Sequence, residues 1–218
     1  MGAMQATPPL VRPLPLHRLP PELQSQHPEV ADLSALSAAG LPVASVVVVP
    51  SSVEERFYRL NNLPALLNEA FAAVDAADPD EDDVEEASPA AAALVRKHYM
   101  LDETVDDFYQ ATAGLPGRVR VRRPLHDGVV ALRGRPALMA LKHLYESDWS
   151  YDAVWERLQR GRAIALEARP VLLHAVDEAS GPAEGTDAAL TRRVADTLGA
   201  PCRVRLTAEG AIVGVRRV

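Results

Sequence analysis

In "GRVRVRR", residues 117–123, arginine alternates with valine. Extended backbone sends successive side chains to opposite faces. The spacing therefore predicts Arg118, Arg120 and Arg122 on one strand face, Val119 and Val121 on the other, and Arg123 just beyond. A row of guanidiniums suits phosphate oxygens, which arginine holds in bidentate pairs. Arg203 and Arg205 alternate with Cys202, Val204 and Leu206 in the same way, and Arg216 and Arg217 lie close together further on. Between the two stretches, Arg133-Gly134-Arg135 falls where a strand is expected to give way to a helix, and free amides at a helix N-terminus between two guanidiniums suit an anion. The glycine spacing matches neither a Walker loop nor a Rossmann fingerprint. The competing reading of these arginines is a solvated sheet face neutralised by acidic helices of the same chain.

A second chemistry is available on carboxylates. Asp102 and Asp106, and likewise Glu103 and Asp107, stand four residues apart, which lines them along a helix face. Paired carboxylates can hold Mg²⁺ for phosphate chemistry; the alternative is again a solvated face. The six histidines are scattered without a zinc-type or hydrolase motif. Cys202 is the single cysteine, which excludes an internal disulfide framework and predicts a small buried residue.

Charge is divided unevenly. Residues 1–110 carry 6 Lys+Arg against 18 Asp+Glu, and residues 111–218 carry 17 against 12, within a net charge of −7. Such asymmetry points to an anionic ligand for the basic half. Aromatic residues make up 5% of the chain and none falls in the arginine stretches, which disfavours a stacking platform for single strands. No apolar run reaches the roughly 20 residues of a membrane span, and the expected location is the cytoplasm. The opening "MGAM" reads like an expression remnant before Met4, and residues 1–9 are expected to form an arm.

The elements that must position these groups follow from periodicity and punctuation. A proline-broken segment with one strand near 14–19 precedes a helix over 30–39 that stops at Gly40. "VASVVVV" has no polar side and predicts a strand buried on both faces. Ser52 and Glu55 form a capping-box pattern for a helix from about Val53; Pro64 restarts it, with Leu67, Ala70, Phe71 and Val74 on one stripe. "DAADPDEDDVEEA" reads as a solvated acidic loop. Ser88-Pro89 then opens a helix carrying Leu94, His98, Leu101, Val105 and Phe108, ended by Gly114. Strands are predicted at 118–123, 129–133, 163–168 and 171–176, and helices at 136–146, 150–160 and 187–198, the last capped by Thr186. A hairpin is predicted at 202–207 and 211–217, turning at Glu209-Gly210.

"DGVVALRGRPALMALKHL" resembles the strand, glycine turn and helix of the ParB/sulfiredoxin-like fold, and "LVRPLPLHRLPPEL", Gly40-Leu41 and "ASVVVVP" resemble that family's opening strand, helix and valine strand. The resemblance covers about 10–50 and 117–145 and makes 53–113 a helical insertion. It implies nucleotide-phosphate binding at the glycine-arginine turn. Pro136 and Ala137 stand where the family has arginines, leaving Arg135 to serve phosphate.

The expectation is an α/β (α+β) protein with a mixed sheet, an acidic helical segment over 10–115 and a basic segment over 116–218. Its leading function is non-catalytic binding of DNA or a nucleotide through Arg118, Arg120, Arg122, Arg123, Arg133, Gly134, Arg135, Arg203 and Arg205. Two alternatives stand beside it. One is a Mg²⁺-dependent phosphohydrolase on Asp102, Glu103, Asp106 and Asp107, and the other a homodimeric or larger adaptor in which the opposite charges of the halves pair.

Overall fold

A computed structural model describes residues 12–176, 183, 184 and 187–218; the expected arm over 1–9 and the Thr186 cap lie outside them. In chain order the elements are β1 (Leu14–Pro15), a 3₁₀ turn (Leu16–Arg18), α1 (Pro21–Gln24), α2 (Pro28–Ala38), β2 (Val46–Val49), α3 (Ser51–Leu60), α4 (Leu63–Ala70), α5 (Glu81–Lys97) and α6 (Asp102–Thr112). There follow β3 (Arg118–Arg122), β4 (Val129–Leu132), α7 (Arg135–Ser147), α8 (Tyr151–Gln159), β5 (Val171–Ala175), β6 (Ala183–Glu184), α9 (Ala188–Leu198), β7 (Cys202–Leu206) and β8 (Ile212–Arg217). The protein is α+β, with a five-stranded sheet in the order β1-β2-β5-β3-β4 and a three-stranded sheet in the order β6-β7-β8.

The expected mixed sheet is corrected: every named strand pair is antiparallel. β2 and β3 do run parallel to each other, but β5 lies between them and pairs with both in the opposite sense. Strands from the acidic and the basic half thus build one sheet.

Period-two alternation divides the core. Val47, Val49, Val119, Val121, Val171 and Leu173 face one way, onto a layer drawn from α3 to α8 with Phe57, Tyr58, Phe108, Tyr145 and Trp149 at its centre. Val46, Val48 and Leu172 face the other way, onto α2, α9 and the β7–β8 hairpin. The four valines of β2 are all buried because a layer covers each side, and each contributes about 1.5 kcal/mol or more through burial. The second layer covers β1, β2 and β5. On that face the outer strands carry polar and exposed residues, with Arg118 and Leu132 both open to solvent.

Four local expectations are corrected. The N-cap of α3 is not Ser52: Pro50 takes that position and the helix begins at Ser51, with no N–H needed from the proline. The acidic run is not a loop beyond Asp80. The Asp80 side chain accepts from the Asp82 amide at 2.9 Å, and Glu81, Asp82 and Asp83 fill the first turn of α5, where negative charge complements the helix dipole. Val84 is fully buried and ties that turn to the core. Pro89 consequently lies inside α5 rather than at a start, and His98 ends it in extended backbone, its Nδ1 donating to the Leu94 carbonyl at 2.6 Å. No strand forms over 163–168: Arg157 draws this segment in by donating from Nη1 to the Ala165 carbonyl at 2.9 Å.

His174 sits at the centre of the large sheet, opposite Val46 and Arg120, and is 2% exposed. Burial first, then the positive charge of Arg122, lowers its pKa from 6.5 to about 4, against a hydrogen bond to the Ala175 carbonyl. The unfolded histidine takes up its proton at higher pH than the folded one. Stability is therefore complete above about pH 6.5 and falls as the pH drops toward 4, by roughly 2–3 kcal/mol for this group. Denaturant unfolding at pH 7 and pH 4.5 checks this, and His174→Leu should remove that part of the loss. An unchanged pH dependence in the variant would assign the loss to other groups.

Candidate anion-binding surface

The two neighbouring arginines at the end of β3 point to opposite faces of the sheet, and each is consumed inside the protein. Arg122, 1% exposed, makes a bidentate pair with Glu29 of α2 at 2.9 and 2.8 Å and donates to the Val213 carbonyl of β8 at 2.7 Å. Glu29 also accepts from the Leu125 and Val215 amides. One ion pair therefore joins α2, the large sheet and the hairpin. Arg123 pairs with Glu54 of α3 at 2.9 and 2.8 Å and with Asp148 at 2.5 Å, and its guanidinium lies 5.2 Å from the Tyr145 ring centre. Burial opposes its charge, but Glu54 and then Asp148 more than reverse that and raise its pKa. Arg122 and Arg123 are thus removed from the phosphate set, since their donors already hold carboxylates that no solvent replaces.

The turn at Gly134 is likewise only partly available. Gly134 is the N-cap of α7 at φ 89°, ψ −135°, a conformation open to glycine. Arg133 donates from Nη1 to the Ala113 and Leu115 carbonyls, both at 2.6 Å, and so satisfies the chain end that follows α6. Pro136 lacks an N–H and Ala137 is buried, which leaves Arg135, exposed in the first turn of α7, as a cation with no ion-pair partner among the described residues.

The remaining arginines gather elsewhere. Arg118 and Arg120 lie on the sheet face that the second layer leaves open. Arg120 donates to the Asp127 carbonyl at 3.1 Å, and burial, offset by Asp127, lowers its pKa. Arg205 reaches the same loop, with its Nη2 3.0 Å from the Asp127 carboxylate and its Nη1 donating to the His126 carbonyl at 3.3 Å. The β3–β4 loop thereby joins the open half of the large sheet to the outer face of the hairpin. On that outer face Arg203 and Arg216 are directly opposed across β7 and β8, both exposed and neither ion-paired with another described residue. Arg217 points the other way and is taken by Asp32 at 3.0 and 2.6 Å. A recess of about 60 Å³ lies beside Arg203, Arg205 and Arg216, with Glu29 and Leu125 on its wall.

Like charges directly opposed across a sheet are destabilising, and this chain has acid to spare for neutralising them. The sheet itself keeps the two apart. α5 and α6, which carry the acidic runs, pack on the Val119 and Val121 face, whereas Arg118 and Arg120 stand on the reverse face.

The carboxylates of α6 do not assemble a metal site. Asp102, Glu103 and Asp106 are exposed, Glu103 is paired with Arg56 at 3.0 Å, and among the described residues no group of three or more histidine, cysteine or acidic side chains could hold an ion. Cys202 is buried and donates to the Ala200 carbonyl at 3.1 Å. No protein-family model matches the chain and no curated protein matches it. Sequence reasoning misses Glu29 and Asp127, which decide which arginines are free. Glu29, at the second position of α2, carries a signal only in hindsight, as a carboxylate adjacent to the buried Val30.

Proposed function

We propose that the protein binds the phosphate backbone of nucleic acid, without catalysing a reaction on it, through Arg203 and Arg216 flanked by Arg118, Arg120 and Arg205. The directly opposed pair Arg203–Arg216, neither of them ion-paired with another described residue, in a protein of net charge −7 carries this reading. An anion between the two guanidiniums relieves their repulsion and supplies acceptors in bidentate geometry. The recess beside the pair, about 60 Å³, is smaller than a nucleotide, which favours a backbone over a free nucleotide. No aromatic side chain lies on β3, β7 or β8, so the surface offers phosphate contacts rather than base stacking and favours duplex over single strands. The Gly134 turn, which the ParB/sulfiredoxin-like resemblance makes a phosphate site, contributes Arg135 as an outlying contact at most.

Fluorescence anisotropy with labelled duplex DNA at about 50 mM salt tests this. Arg203→Ala with Arg216→Ala should weaken binding on the order of 100-fold, since two charge-assisted contacts are lost. The pair is exposed and its mutual repulsion goes with it, so the melting temperature should hold or rise slightly. Equal affinity in wild type and the double variant would remove the hairpin from the interface.

A further inference from the structure

A second cluster of arginines lies across the β3–β4 loop from the hairpin. The end of α7, α8 and the segment 160–169 enclose a cleft of about 370 Å³. Arg157 lies within it, its guanidinium 5.0 Å from the Trp149 ring centre. It donates to three backbone carbonyls: Ala153 at 3.2 Å, Ala165 at 2.9 Å and Asp148 at 2.6 Å. It holds no carboxylate among the described residues. Arg169 shares Asp148 with Arg123, so that carboxylate already serves two guanidiniums. At the rim, Arg160 pairs with Glu156 and Arg162 with Glu167, both pairs more than a third exposed on each side. The Nε groups of Arg123 and Arg169 are buried without an acceptor.

Five arginines and four carboxylates, Asp127 among the latter, line the cleft, so guanidinium donors exceed the carboxylates that could hold them. Its inner carboxylates are saturated, while its rim pairs are of the exposed kind that contribute little and exchange readily. A ligand that brings negative oxygens supplies Arg157, on which Asp148 and Glu167 act only at a distance, with a direct anionic partner, and can take Arg160 and Arg162 from their surface partners. We propose that this cleft is a binding site for a compact dianion, a phosphate or a small dicarboxylate, on the other side of the β3–β4 loop from the arginines of the nucleic-acid surface. The volume accommodates a small metabolite, and the fork of Arg157, fixed by its carbonyls and by Trp149, is pre-ordered for one.

Isothermal titration of the full chain with inorganic phosphate and, separately, with succinate tests the proposal. The expected result is saturable binding of one of them, weakened at least tenfold in Arg160→Gln with Arg162→Gln and retained in Arg203→Ala with Arg216→Ala. Preference between the two titrants identifies the source of the dianion. Both rim positions are exposed, and circular dichroism confirms that their variant is folded. Absence of binding by either anion, binding unchanged in the rim variant, or loss of binding in the hairpin variant would overturn the proposal. The hairpin's own role is read independently, from DNA affinity.

Discussion

Arg123→Ala should cost about 3–5 kcal/mol of folding stability, a larger loss than any single substitution on the exposed arginine surface. The change leaves Glu54, fully buried, without its bidentate partner, and leaves Asp148 with Arg169 alone. It also removes the guanidinium packed on Tyr145. Denaturant unfolding at pH 7 measures the effect. Arg123→Met combined with Glu54→Leu should recover part of the loss, because the buried carboxylate goes with its partner, while Asp148 and the backbone of Arg169 each still lose a contact. A single variant within about 1 kcal/mol of wild type would show that the buried pair is not the tie between α3 and the sheet.

Gly128→Ala carries the second large effect. Gly128 has φ +68°, and a Cβ there would stand 2.2 Å from the Val121 carbonyl oxygen and 2.3 Å from the Arg122 Cβ. Left-handed backbone costs a non-glycine residue about 1–2 kcal/mol, and crowding against fixed backbone adds roughly 1–3 kcal/mol. Gly210→Ala is the matched comparison: its φ is +81° but nothing lies within 4 Å of the added carbon. Thermal unfolding should therefore separate the two, with Gly128→Ala losing about twice as much or more. Similar losses at both sites would mean that the β3–β4 loop gives way, and the seat of Arg122 with it.

The contrast between those arginines and the exposed ones explains what the chain reveals when read alone. The β7–β8 hairpin and the doubly buried β2 are legible because their signals are local: alternation of Arg203 and Arg205 with Val204, and an unbroken valine run. α9 is found as well, but its N-cap is Asp187, accepting from the Leu190 amide, and not the expected Thr186. The fate of Arg122 and Arg123 is not local. Their partners Glu29 and Glu54 lie 93 and 69 residues away, and strand alternation says only which way a side chain points. The same limit applies to the acidic run before Val84. Repulsion among its charges is visible in sequence, whereas the cap by Asp80 and the burial of Val84 that outweigh it depend on the packed core.

Of the nine residues expected to contact phosphate, Arg118, Arg120, Arg203 and Arg205 stand on or beside one surface, which Arg216 completes. The most direct test of that surface is the salt dependence of duplex binding. Measured from about 50 to 200 mM salt, log K should fall with log salt at a slope near −3 to −4 for wild type, as about four phosphates are neutralised, and the slope should shrink by about 2 in Arg203→Ala with Arg216→Ala. A wild-type slope near zero, or an unchanged slope in the double variant, would contradict a phosphate-binding role for this surface.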